Sequence, residues 1–190
     1  MVTAVLIALN VIAFAYELSL GAGVDEFIRR WGVVPADVLI GPSAAVTLFT
    51  STFLHVGWLH LGSNMVYLGV FGLPVERRVG PLRYAAVYMV SGIAGSLAYL
   101  LAQPMSHTPA IGASGAIAGV IAAHLVLFLH VVESTPTLLL LLLWLATQLF
   151  SGVASSITDT GIAWWAHLGG FGGGFVLAQV MRRRISRMVR

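Results

Sequence analysis

Long apolar runs constrain this chain more than any other feature. They follow one another from Val2 to Met181, broken by short polar or arginine-bearing stretches. Most of these runs approach the ~20 residues that a helix needs to cross a bilayer. Only 9% of the 190 residues are charged and 58% are hydrophobic. A soluble domain carries about 25% charged residues, so this chain lacks the means to cover a water-facing surface. The reading is one integral membrane domain, residues 1–190, built entirely of helices.

Six spans are predicted, at roughly 2–20, 58–75, 82–102, 113–131, 137–150 and 162–181. The first run lacks a basic leading segment, so it reads as a span and not as a cleaved signal. The fifth is short and is expected to tilt or to draw on Ser151–Ser155. All ten basic residues are arginine. Arg182, Arg183, Arg184, Arg187 and Arg190 follow the last span, and Arg77, Arg78 and Arg83 separate the second from the third. With six spans both groups fall on one side, which the positive-inside rule makes cytoplasmic. Both termini are then cytoplasmic, and a prokaryotic plasma (inner) membrane is the default location. The pI near 9.8 therefore reflects topology, with some attraction to anionic lipid, and not nucleic-acid binding. Trp58 and Trp164-Trp165 are expected to anchor the outer interface.

The segment between the first two spans, Gly21–Phe53, is too apolar for a solvated linker. It is expected to lie partly in the outer leaflet against the bundle, with Trp31, Pro35, Gly41 and Pro42 interrupting regular structure. Ser151–Gly161 is expected to be a mobile outer loop.

Within this topology the unusual polar residues converge. His60 and Asn64 begin the second span, Ser114 begins the fourth and His167 lies one turn into the sixth. All three spans start outside, so these side chains share a depth. Polar groups at membrane depth are costly unless they pair or line a cavity. His60 and Asn64 share a face at i, i+4, and His167, Gly170 and Gly174 fall on one stripe. Gly115/Gly119 and Gly170/Gly174 are small-residue pairs of the kind that let helix backbones approach. If spans four and six pack through them, Ser114 and His167 meet as nucleophile and general base. No acid stands out to orient the histidine; Glu17 and Asp159 are the possibilities, and a Ser–His dyad is the expectation. Asn64, His60 and the Ser114 backbone N–H are candidate oxyanion donors. Gly112, with the other glycines near Ser114, would let a substrate backbone approach.

A serine in a membrane helix often bonds back to its own turn, and His60 and Asn64 could be interhelical glue. His107 reads as solvated, His124 and His130 as satisfied core or interface residues. The absence of cysteine rules out a thiolate nucleophile, a disulfide or a thiolate metal site. HExxH is absent, so no metal site is expected, and no pair of related halves suggests a transporter.

At these residues the chain resembles the rhomboid intramembrane serine proteases. The family's HxxxxHxxxN pattern is met by His55, His60 and Asn64. GxSG is met by Gly112-Ala113-Ser114-Gly115, AHxxGxxxG by Ala166-His167, Gly170 and Gly174, and ExR by Glu76 and Arg78. The resemblance implies a six-helix rhomboid-like bundle and a serine endopeptidase without cofactor. It makes Ser114 the nucleophile, His167 the base, His60 and Asn64 oxyanion residues, and His55, Glu76 and Arg78 structural. Its implied substrates are single-span membrane proteins cut in or near their helix. Thr137–Phe150 and Ser151–Gly161 would be gate and cap. A non-proteolytic relative, binding membrane helices as chaperone or adaptor, is the alternative; such a protein should lack the serine or histidine. Two positions depart from the pattern. Val46-Thr47 stands where many members carry Trp-Arg, and Ala118 stands where a tyrosine often packs on the histidine.

Overall fold

Gly80 and Pro81 make a sharp reversal between two long helices. Gly80 has φ +86° and donates its N–H to Glu76 O at 2.8 Å, closing one helix. Pro81 opens the next at a position where its missing N–H costs nothing. The computed structural model describes residues 1–38, 44–128, 135–157 and 164–188. Within them the chain is helical: α1 (Val2–Ser19), α2 (Val24–Trp31), α3 (Pro35–Val38), α4 (Ala44–Thr50), α5 (Trp58–Val79), α6 (Pro81–Ala102), α7 (Ser114–Phe128), α8 (Thr135–Ile157) and α9 (Trp164–Met188). Short 3-10 turns lie at Gly21–Gly23 and Ser51–Phe53.

The six long helices alternate in direction. The start of α1 meets the end of α5, where the Glu76 carboxylate accepts the Val2 N–H at 2.6 Å and the Thr3 N–H and hydroxyl at 2.9 and 2.7 Å. The end of α1 meets the approach to α5, where Glu17 accepts the His55 N–H at 3.1 Å. Gly169 of α9 faces Ala98 of α6, and Gly173 faces Ala94, so these two run antiparallel. Gly170 and Gly174 of α9 face Gly115 and Gly119 of α7 in the same order, so those two run parallel.

Helix α7 is the centre: every residue from Gly115 through His124 is buried. Leu68, Phe71, Tyr84 and Tyr88 pack around it. Outward the bundle is apolar. Leu139, Leu142, Leu149 and Phe150 of α8 are exposed, as are Leu82, Leu101 and Val176. Water does not tolerate so continuous an apolar surface on a monomer; hydrocarbon does. Two helices, α1 and α6, are both long and apolar enough to cross a bilayer by length and composition, with mean hydropathies of 1.8 and 1.7.

Several boundaries differ from the sequence reading. Helix α5 continues through Val79, so Glu76 and Arg78 lie inside it. Helix α8 runs on to Ile157 through most of the expected outer loop, and α9 carries the arginines on to Met188. Polarity marks where a helix leaves an apolar layer, not where it ends; small residues and arginine extend helices readily. The segment 21–53, expected to be irregular, holds three short helices, and Pro35 starts one of them. It is tied to the bundle as expected: Val33 and Ala110 exchange backbone hydrogen bonds at 3.1 and 2.8 Å.

Candidate active site

Ser114 is the first residue of α7 and follows a turn that needs glycine. Gly112 has φ +116°, and an added Cβ would lie 2.7 Å from His60 Nε2. Its N–H donates to Ser51 O at 2.8 Å, so that donor is not free for a substrate. What Gly112 contributes is room for the His60 ring. The Ala113 carbonyl accepts the Ile117 N–H at 2.9 Å, beginning the helix. The N–H of Ser114 therefore belongs to the first turn, which lacks intrahelical acceptors and carries the positive end of the helix dipole.

His167 lies in the first turn of α9. A Cβ added at Gly170 would overlap the Gly115 carbonyl, and one at Gly174 would overlap the Gly119 backbone. These glycines thus set backbone against backbone. Helix α6 joins the same contact: a Cβ at Gly95 would lie 2.5 Å from Ala166 O. At this separation His167 Nε2 is 2.8 Å from Ser114 Oγ. The other ring nitrogen, Nδ1, is 2.6 Å from Gln148 Oε1 of α8.

Neither acid considered as an orienter is seen at the ring. Glu17 is engaged with the His55 backbone, and Asp159 lies outside the described residues. Gln148 was missed. Its signal in the sequence is slight: one amide in the leucine-rich run 137–150, where a polar group at membrane depth invites a function. Ala118 is buried, and among the described residues no aromatic ring stacks on His167.

His55, His60 and Asn64 form a second cluster beside the serine. His55 is 1% exposed; its Nδ1–H donates to Phe53 O at 3.3 Å and its Nε2 accepts Asn64 Nδ2–H at 3.0 Å. Burial first, and the neighbouring His60 second, hold His55 down at about 4 against an ordinary 6.5. It is therefore neutral at physiological pH, with one donor and one acceptor nitrogen, both used. One Asn64 N–H is spent on His55, and the second remains. The His60 ring lies edge-on to His55 at 5.0 Å, and its buried Nδ1 has no partner. A cavity of about 510 Å³ opens between these groups, lined among others by His60, Asn64, Ser114, Trp144, Gln148 and His167.

The remaining candidates fall elsewhere. Glu76 holds the start of α1. Arg78, expected to be structural, is exposed and has no ion pair among the described residues, because its position on α5 faces away from the bundle. His107 is exposed. His124 is buried between Phe71 and Phe128 as a core residue, and its Nδ1 has no partner among the described residues. His130 lies outside the described residues. Val46-Thr47 sits in α4, where Thr50 Oγ1 donates to Trp31 O at 2.6 Å and Ser96 Oγ to Leu48 O at 3.5 Å. Those contacts anchor the stretch that holds α4.

Residues 42–184 match the rhomboid domain. The chain belongs to the rhomboid family. This rhomboid is 33% identical over 141 residues to "RHOMBOID-like protein 5" of Arabidopsis thaliana, covering 72% of this chain and 44% of that one. It is 31% identical over 187 residues to "Rhomboid protease GluP" of Bacillus subtilis (strain 168), covering 94% and 34%. It is also 32% identical over 114 residues to "Inactive rhomboid protein 1" of Drosophila melanogaster, covering 60% and 8%. The chain thus spans less than half the length of each of these relatives. One of them is named a protease and one is named inactive. Family and apolar helices together make this rhomboid a membrane protein.

Proposed function

We propose that this rhomboid is an intramembrane serine endopeptidase that cleaves single-span membrane proteins in or near their helix. The observation that carries the reading is the 2.8 Å contact between Ser114 Oγ and His167 Nε2 at the mouth of the cavity. A relative that only binds helices has no need to keep a hydroxyl on an imidazole there.

The chemistry follows from the groups present. His167 Nε2 takes the Ser114 proton as Oγ attacks the scissile carbonyl carbon. The oxyanion forms beside the Ser114 N–H, the remaining Asn64 N–H and the His60 ring, and one such donor is worth roughly 3 kcal/mol. The intermediate collapses, the C–N bond breaks, and His167 passes its proton to the leaving amine. Water entering the cavity gives a proton to His167 and attacks the acyl-serine; as the C–Oγ bond breaks, His167 returns that proton to Ser114 Oγ and the carboxylic acid product leaves, losing its proton to solvent. No cofactor or metal enters these steps. His55 serves by holding Asn64, and the glycines by setting the α7–α9 distance.

The topology that suits this chemistry has α1, α5, α6, α7, α8 and α9 as six spans of one domain. Both termini are cytoplasmic, the cavity opens outward, and the membrane is a prokaryotic plasma membrane. Reconstitution with a single-span substrate tests the reading. Ser114→Ala and His167→Ala should each abolish cleavage while the protein stays folded; cleavage at the unaltered rate would sink it. Substrate binding by the unaltered chain with no cleavage would move the assignment to the helix-binding adaptor.

A further inference from the structure

A chain of hydrogen bonds crosses from the backbone of α8 to the serine, and each link has only one permitted sense. The Thr147 hydroxyl donates to Trp144 O at 2.7 Å. Its proton is spent there, so toward Gln148 Nε2, 3.3 Å away, Thr147 Oγ1 accepts. That turns the Gln148 amide nitrogen to Thr147 and its oxygen to His167. An amide oxygen only accepts, so His167 Nδ1 must carry the ring proton across the 2.6 Å contact. Nε2 is then left with its lone pair facing the Ser114 hydroxyl at 2.8 Å.

We propose that Gln148 is a positioning residue that fixes the tautomer and orientation of His167, with Thr147 fixing Gln148 in turn. This rests on the reading of Ser114 and His167 as nucleophile and base. An imidazole with its proton on Nε2 presents a donor to Ser114 and cannot take the hydroxyl proton. Something must therefore hold the proton on Nδ1. A carboxylate is the commoner device, but an isolated charge at membrane depth costs far more to bury than an amide. Among the described residues no acid and no stacking ring reaches His167, so this orientation falls to Gln148. The consequence reaches α8. Gln148 lies one turn beyond Trp144, whose ring stacks on Phe171 of α9 at 5.8 Å. Seating α8 against α9 and setting the base are therefore one event.

Three variants test this: Gln148→Met, nearly isosteric without an acceptor; Gln148→Glu, which keeps one; and Thr147→Val, which removes the hydroxyl. Ring 15N shifts of His167 in detergent micelles, isolated by subtracting the His167→Gln spectrum, report the tautomer. The unaltered protein should show Nδ1 protonated and Nε2 bare. Gln148→Met should shift population to the Nε2–H form and lower kcat about ten- to a hundredfold, with KM within about twofold. Gln148→Glu should recover kcat to within about tenfold of the unaltered protein. Thr147→Val should show a smaller shift in the same direction. An unchanged tautomer in Gln148→Met, a loss confined to KM, or no recovery in Gln148→Glu would overturn the proposal. The spectrum is readable without turnover. An Nδ1–H tautomer that depends on Gln148, in a protein that cuts nothing, would sink the protease reading while upholding the role of Gln148.

Discussion

Replacing Gly170 by alanine tests whether helix spacing sets the chemistry. The added Cβ falls on the Gly115 carbonyl oxygen, far inside ordinary van der Waals contact, which begins at 3.4 Å. Both atoms are held by helix backbone, so neither can rotate away. Helix α9 must retreat from α7 by about 1 Å, a displacement that elsewhere costs about 10²-fold in rate when it separates reacting groups. His167 lies one turn earlier on the same stripe, so its Nε2, now 2.8 Å from Ser114 Oγ, moves to roughly 3.8 Å, beyond hydrogen-bond reach. The expected result is a loss of about 10²-fold in kcat and about 1–3 kcal/mol in stability from overpacking. Gly172→Ala is the internal control. It lies on the same helix, but its Cβ would meet nothing within 4 Å. There the better helix propensity of alanine should raise stability by about 0.5–1 kcal/mol and leave cleavage alone. The assays are cleavage of a single-span substrate in proteoliposomes and thermal unfolding in one detergent. Gly170→Ala cutting as fast as Gly172→Ala would refute the reasoning.

Two further outcomes are expected. Asn64→Ala removes an oxyanion donor and the partner of His55 Nε2; kcat should fall about 10²- to 10³-fold, more than KM changes, and a loss of stability with kcat unchanged would return Asn64 to a packing role. Glu76→Ala leaves the Val2 and Thr3 N–H groups and the Thr3 hydroxyl without their acceptor. Stability should drop by about 2–3 kcal/mol, with protease protection lost first at α1; an unchanged unfolding temperature would show that the cap contributes nothing.

The pairing of Ser114 with His167 could be anticipated because three signals agree: which side each span starts on, helical phase, and small residues where backbones must touch. Each is local, and each survives errors of a few residues in span boundaries. Gln148 could not be anticipated in the same way. Its run of leucines has no polar face, so nothing along the chain tells which side of α8 meets α9. Glu17 shows the same limit from the other side. An acid near the end of a span could orient an imidazole or accept a backbone N–H, and only the approach of Leu54–Gly57 to α1 selects the latter. The lengths of α8 and α9 escaped for a different reason. Arginine, serine and alanine end an apolar layer without ending a helix.

The most direct measurement of the central claim is covalent labelling of the folded protein by a fluorophosphonate, with the modified residue located by peptide mass mapping. Ser114 should carry the label, and His167→Ala should remove it while the unfolding temperature holds. Labelling at another serine, or labelling of Ser114 that survives loss of His167, would contradict the account.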